Sequence, residues 1–262
     1  MERTESMEHT EAIGQTEATE QIEEIGFGGL KLIQSSDGFR FGIDAVLLAD
    51  FAAESCRSAD RIVDLGTGNG VIPLILSHKT KAGSITGIDL QAKAIELARR
   101  SCALNGLEDR IRYLQCDVAA LQQQMPQLRN TADAVVSNPP YIARGAGLKG
   151  AADSRFLARQ ETTAGIEEFT AAAAFLLRDR GHFFLVHRPS RLVDLLCCCR
   201  KYALEPKNIR FVAPRRDGKP NIMLLHCVKG GGKELDLAQT LYVYDDAGGY
   251  TLEIMKIYEK TR

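Results

Sequence analysis

The sequence predicts an α/β fold, doubly wound, with a mostly parallel sheet covered by helices on both faces. Three observations lead there. From Phe39 onward, short β-rich runs alternate with helical segments, the pattern that parallel strands joined by crossover helices require. The 262 residues, 45% of them hydrophobic, suit one large domain with a sizeable core. Residues able to do chemistry recur just after the expected strand ends, where open α/β sheets bind ligands.

The elements can be justified in order. Residues 1–24 hold eight Glu and one Arg and few large apolar side chains, so they are expected to be a disordered acidic leader outside a single domain at 25–262. Their net charge of −7, against −1 for the whole chain, leaves +6 on that domain. An apolar helix is expected over 44–54, then a strand over 61–65 that ends in GTGNG and a helix over VIPLILSHK. A second strand, 84–88, ends at Asp89 and enters the helix AKAIELARRSCALN, which Gly106 stops as a C-cap. A third strand, 110–114, ends at Cys116-Asp117, and a fourth, 132–136, runs into Ser137-Asn138-Pro139-Pro140-Tyr141. Residues 142–164 read as a substrate-facing loop. A helix over 167–178, a strand over 182–187 and a helix after Pro189 follow. Two runs, 204–212 and 222–228, are expected as an antiparallel pair at the sheet edge. A short C-terminal extension from about 230 carries a strand-like LYVY, a turn DDAGG and an amphipathic end.

Neither a signal peptide nor an apolar run long enough to cross a bilayer is present, so a cytoplasmic protein with no membrane partner is expected. Seven Cys without a CxxC pair read as reduced thiols, and the triplet Cys197-Cys198-Cys199 reads as packing, since successive residues point different ways around a helix. No metal is expected.

Four motifs carry the chemistry. In VDLGTGNG, Gly66, Gly68 and Gly70 with Thr67 let the backbone turn tightly and approach a ligand without a Cβ in the way. Gly66 and Gly70 are four residues apart, one fewer than the first and third glycines of a GxGxxG dinucleotide turn. Asp64, just before the turn, can accept from a ligand ammonium. Asp89, followed by Leu90, stands where a carboxylate accepts from both ribose hydroxyls of an adenosine, or alternatively caps a helix. Asp117 with the Val118 amide can read an adenine edge, again with an N-cap as the plainer alternative.

The fourth, Asn138-Pro139-Pro140-Tyr141, is the most specific. An exocyclic amino group is a poor nucleophile because its lone pair is delocalised into the ring. The Asn138 side-chain oxygen and the Pro139 carbonyl can each accept one N–H, favouring a pyramidal nitrogen whose lone pair points at a methyl donor. The prolines stiffen this loop, and Tyr141 offers a face on which a splayed-out base stacks for roughly 1–3 kcal/mol. Candidates for phosphate contacts are Arg144, Lys149, Arg155 and Arg159 in the following loop, and Lys207, Arg210, Arg215, Arg216 and Lys219 in KNIRFVAPRRDGKP. A solvated edge hairpin is the bland alternative for that last cluster.

On these motifs the sequence resembles the class I S-adenosylmethionine-dependent methyltransferases, and within them the bacterial tRNA-Val adenine-N6 methyltransferases. FRFGIDAVLLADF, IVDLGTGNGVIPLIL, ITGIDLQAKAIELARRS, VVSNPPY, ARQE, FFLVHRPSRL, LEPKNIRFV and the KGG near 229 resemble that family's blocks in order. The resemblance implies a seven-stranded, Rossmann-like sheet with S-adenosyl-L-methionine as donor. It further implies a lid-like helix from Ile43 with Arg40 near its start, and a tRNA anticodon stem-loop as substrate; a monomer is expected. The acidic leader lies outside the pattern, and Gln160 stands where His is expected. Three other readings are carried alongside: an N5-glutamine methyltransferase of a release factor, an rRNA guanine-N2 methyltransferase, and a non-catalytic RNA-binding module.

Overall fold

A computed structural model describes residues 20–35, 41–56, 59–139 and 165–260. The chain opens with a hairpin, β1 (Glu20–Gly26) and β2 (Leu30–Ser35), followed by α1 (Ile43–Ser55). Then strands and helices alternate: β3 (Arg61–Leu65), α2 (Val71–Lys79), β4 (Ser84–Asp89), α3 (Ala92–Leu104) and β5 (Ile111–Gln115). A 3₁₀ turn, Val118–Ala120, leads into the short α4 (Leu121–Gln124) and β6 (Ala132–Ser137). After it come α5 (Ile166–Leu176), β7 (Leu177–His187), α6 (Leu192–Lys201), β8 (Leu204–Ala213) and β9 (Ile222–Lys229). Two two-residue strands, β10 (Asp236–Leu237) and β11 (Leu241–Tyr242), and the helix α7 (Leu252–Ile257) finish the described chain.

The main sheet has the order β10-β8-β9-β7-β6-β3-β4-β5, with β11 also on β8. β3, β4, β5, β6 and β7 are parallel, as the alternating pattern predicts. Their middles read as apolar runs because both faces are covered. One face carries α1, α2, α3 and the hairpin over Ile62, Ile85, Val136 and Phe184. The other carries α4, α5 and α6 over Val63, Leu65, Val135 and Phe183. α2 is buried all round from Val71 to Ser77, whereas α3 buries only Ile95, Leu97, Ala98, Ser101 and Cys102 and turns its charged residues outward.

Three expectations change. The boundary drawn at residue 24 falls inside β1, which is anchored at both its ends: Ile25 is buried, and the Glu20 carboxylate pairs with Arg100 on α3 at 2.8 Å. β2 is tied to α3 as well, through Ile33 N–H to Ser101 Oγ at 3.0 Å. Residues 1–19 lie outside the described residues. The antiparallel strand is not the edge strand: β9 is inserted between β7 and β8 and runs against both, so β8 points the same way as β7. Finally, α1 is a core helix. Ala45 to Ala49, Ala52 and Ala53 are buried, and Phe51 meets Phe184 edge-on at 6.0 Å. A helix apolar on that many sides packs into the sheet instead of closing over it.

Candidate functional site

Register alone lines up one edge of the sheet. Leu65 of β3 pairs with Ile88 of β4 and Ser137 of β6, and Asp89 pairs with Gln115 of β5. The residues that follow these strand ends, Gly66, Leu90, Cys116-Asp117 and Asn138, therefore stand in a row along the carboxyl edge. Backbone bonds lock the row: Gly66 and Thr67 N–H donate to the Ile88 carbonyl at 2.8 and 3.0 Å, Cys116 N–H to that of Asp89 at 2.9 Å, and Ser137 Oγ to that of Leu65 at 2.8 Å.

The glycine turn is built as its composition demands. Gly66, Gly68 and Gly70 all have positive φ, at 73, 56 and 83°. A Cβ on Gly70 would lie 2.5 Å from Tyr113 Oη and one on Gly66 3.1 Å from Phe169, whereas one on Gly68 would meet open space. Of the three, Gly68 is thus the one where a ligand has room to approach the backbone. Asp89 draws the loop onto β4: its Oδ2 accepts from Gly68 N–H and its Oδ1 from Gln91 N–H, both at 2.9 Å. Burial raises the Asp89 pKa, and the amides of Gln91, Gly68 and Leu90 work against that rise.

Asp64 is fully buried, and neither carboxylate oxygen has a hydrogen-bond partner among the described residues; the same holds for Thr67 Oγ1. Burial pushes the Asp64 pKa up to about 7, the neighbouring Thr67 side chain works against that rise, and the charge of Asp89 adds to it. Orphaned buried acceptors are costly and rare unless a ligand supplies donors. The residues therefore fit a ligand with an ammonium near Asp64 and Thr67 and hydroxyls near Asp89, which S-adenosylmethionine provides.

Asp117 caps the 3₁₀ turn, its Oδ1 accepting from Ala119 N–H at 2.9 Å, so the plainer alternative holds for that oxygen. Beside the buried Val118 opens a cleft of about 290 Å³ between the 3₁₀ turn and the first turns of α5, lined by Val118, Ala119, Gln122, Glu167, Ala171 and Tyr202. Leu90 is half-buried, its carbonyl accepting from Gln115 Nε2 at 3.2 Å.

Asn138 is half-buried and Pro139 buried at the end of β6. The Asn138 Nδ2 donates to Asp44 Oδ2 in the first turn of α1, at 3.5 Å. Arg40, Pro140, Tyr141, Arg144, Lys149, Arg155, Arg159 and Gln160 lie outside the described residues.

The basic cluster of KNIRFVAPRRDGKP divides. Lys207 donates to the Gly232 carbonyl at 3.1 Å, and Arg210 donates to Gln239 O and pairs with Glu253, so both tie the C-terminal segment to β8. Arg215, Arg216 and Lys219 are exposed on the turn between β8 and β9. The Cys triplet behaves as packing residues do, Cys199 buried, Cys198 half-buried and Cys197 exposed. His187 is buried with its pKa lowered to about 4, chiefly by burial, and its Nδ1 accepts from Arg188 N–H.

Sequence reasoning missed Asp44, Tyr113 and Phe169. Asp44 carried one usable signal, an acid at the start of an apolar helix, where the helix dipole favours it. Tyr113 fills the space under Gly70 and Gly87, and Phe169 abuts Gly66, relations that exist only once strands and helices are stacked.

Comparison with known proteins follows from this geometry. Residues 35–193 match the family described as methyltransferase small domain. A Porphyromonas gingivalis protein named tRNA1(Val) (adenine(37)-N6)-methyltransferase is 26% identical over 86% of this chain and 89% of its own length. One of the same name from Parabacteroides distasonis is 31% identical over 71% of this chain and 75% of its own. Among solved structures, a predicted O-methyltransferase from Agrobacterium tumefaciens superposes with a TM-score of 0.67 at 22% identity, covering 82% of this chain and 95% of that one. No helix among the described residues is long and apolar enough to cross a membrane.

Proposed function

We propose, from the premise that this chain belongs to the methyltransferase small domain family, that it methylates N6 of an unpaired adenine in the anticodon loop of a tRNA. The observation that carries the reading is the row at the carboxyl edge, where Asn138 stands one strand away from the open space beside Gly68 and the orphaned polar atoms of Asp64 and Thr67. The relatives named for adenine-N6 methylation of tRNA support the choice of acceptor.

When bound, S-adenosylmethionine supplies an electrophilic methyl group on a cationic sulfur. The chain's own residues do the rest. Asp64 and Thr67 would hold the ammonium end, Asp89 the ribose hydroxyls, and Val118 and its cleft the adenine ring. Asn138 Nδ2 is turned toward Asp44; in the bound complex the Asn138 side-chain oxygen would accept one N–H of the target amine and the Pro139 carbonyl the other. The amine is thereby held pyramidal and aimed. Such positioning supplies about 7–11 kcal/mol of a barrier when the reacting atoms are near-attack, and the displaced proton leaves to water. We take the protein to act as a monomer, in the cytoplasm.

Nucleoside mass spectrometry of tRNA from cells with and without the gene tests the reading. Loss of N6-methyladenosine is the expected result. Loss of a methylated guanine, or of a methylated glutamine in a release factor, would assign the site to another acceptor.

A further inference from the structure

The C-terminal segment builds an aromatic ladder that the methyl-transfer site does not use. Phe27, Tyr258, Tyr250 and Tyr244 stack in succession, with ring centroids 6.3, 5.8 and 5.6 Å apart and planes within 27° of parallel. The inner end is buried at Phe27, beneath Lys79 Nζ at 5.1 Å, and the outer rungs Tyr250 and Tyr244 are 36% and 39% exposed. Cations accompany it. Lys260 Nζ lies 5.8 and 5.3 Å from the rings of Tyr250 and Tyr258, Arg216 lies 5.5 Å from that of Tyr242, and the Arg215 guanidinium reaches to 3.9 Å of where a Cβ on Gly248 would stand.

The ladder is held rigidly. Tyr244 and Tyr250 bridge as an antiparallel pair, and the turn between them is closed by Asp245, whose N–H donates to Gly249 O at 2.8 Å. Asp245 Oδ1 in turn accepts from the amides of Ala247 and Gly249, at 3.0 and 2.9 Å. That carboxylate is thus engaged by the turn itself. Buried Val243 and Ile254 fix the segment to the core.

Topology places the ladder at the working edge. β8 runs in the direction of β6 and β7, and β11 is parallel to it, with Tyr242 opposite Ala213 at its carboxyl end. Tyr242, Tyr244, Arg215 and Arg216 therefore stand along the same edge as Asn138. Three strand spacings separate β6 from β8, roughly 14 Å. Tyr258 lies close enough to Asp44, the partner of Asn138, for that carboxylate's charge to help raise its phenol pKa, after burial and the neighbouring Tyr250. Exposed, rigid aromatic faces interleaved with cations suit stacked bases and their phosphates.

We propose that Tyr244, backed by Tyr250 and flanked by Arg215 and Arg216, forms a stacking platform for unpaired nucleotides next to the methylated base. This rests on RNA being the substrate, as proposed above.

The test uses full-length protein and an anticodon stem-loop RNA carrying 2-aminopurine beside the target adenine. Wild type should bind it and quench its fluorescence by stacking. Tyr244→Ala and Tyr250→Ala should each bind about 5-fold to 150-fold more weakly, lose the quenching, and keep their affinity for S-adenosylmethionine. Tyr244→Phe and Tyr250→Phe should retain both. Arg215→Ala and Arg216→Ala should each lower the slope of log affinity against log salt by about one. Thermal melting checks folding, and should Tyr250→Ala unfold, the outermost rung Tyr244 decides. Unchanged RNA affinity and quenching in Tyr244→Ala would overturn the platform. If wild-type protein binds and quenches but leaves no N6-methyladenosine in the RNA, the reading of the reaction falls and the platform stands.

Discussion

Asn138, just past β6, and Asp44 on α1 face each other across 3.5 Å, the amide nitrogen of one toward the carboxylate of the other. A carboxylate attracts the N–H end of an amide, so the contact fixes which way the Asn138 side chain is turned. It couples a loop at the sheet edge to a helix whose length is buried in the core, so the Asn138 side chain is held by a rigid element.

Asn138→Ala is therefore expected to abolish methylation while leaving S-adenosylmethionine affinity nearly intact, as read by calorimetry and single-turnover rates. Asp44→Ala should lower kcat between about 10-fold and 100-fold through misplacement of Asn138, with KM for the cofactor unchanged. Equal loss of cofactor affinity and activity in Asn138→Ala would make that residue structural.

Asp64 carries a pH signature. Its folded pKa of about 7 lies above the ordinary carboxylate value of 3.8, so the native state holds the proton more tightly than the unfolded one. Stability from this group is full below pH 3.8 and is lost as pH rises toward 7. At about 1.4 kcal/mol per pKa unit, the rise from 3.8 to about 7 makes the loss on the order of 4 kcal/mol. Asp64→Asn should flatten this slope in chemical denaturation of the cofactor-free protein, raise its stability at pH 8, and abolish cofactor binding.

The two glycines of the turn should separate stability from binding. Gly70→Ala meets Tyr113 Oη and the Ala98 Cβ at positive φ, so a loss above about 2 kcal/mol is expected in the denaturant midpoint. Gly68→Ala meets nothing and should cost only about 1–2 kcal/mol of backbone strain, yet weaken S-adenosylmethionine binding 10-fold or more by filling the space beside Gly68. Equal cofactor affinity in Gly68→Ala and wild type would remove the ligand from that space.

Lys229 at the end of β9 is a structural counterpart. Its Nζ donates to Asn130 Oδ1 and to the carbonyls of Ala174 and Leu177 at the end of α5, at 2.8, 2.7 and 2.7 Å. Lys229→Met keeps the stem and leaves those acceptors unmet, so a loss of about 1–3 kcal/mol is expected in urea unfolding, with unchanged turnover per folded molecule.

The turn after β3 was legible in the sequence because its chemistry is local: three glycines at positive φ directly behind a buried strand have few other uses. The spacing to Asp89 was legible for the same reason, one helix and one strand separating two ends of a parallel pair. β1 was not, since what stabilises its Glu20 is Arg100, eighty residues on. The place of β9 was hidden too, because a strand's own residues do not say whether it joins an edge or parts two neighbours. Nor was the tyrosine ladder, whose rungs at 44, 50 and 58 past residue 200 share no period. Asp44 looked like an ordinary helix-start acid until β6 delivered Asn138 to it.

The insertion of β9 sets an order of events for the emerging polypeptide. β8 leaves the ribosome with neither of its sheet neighbours yet made, for all of its pairing partners, β9, β10 and β11, are encoded after it. The half of the sheet from β3 to β7 can assemble beforehand, presenting β7 as a temporary bare rim. Closure waits for residues 222 onward, so the amino acids that seal the architecture belong to the same stretch that carries the rungs Tyr244, Tyr250 and Tyr258.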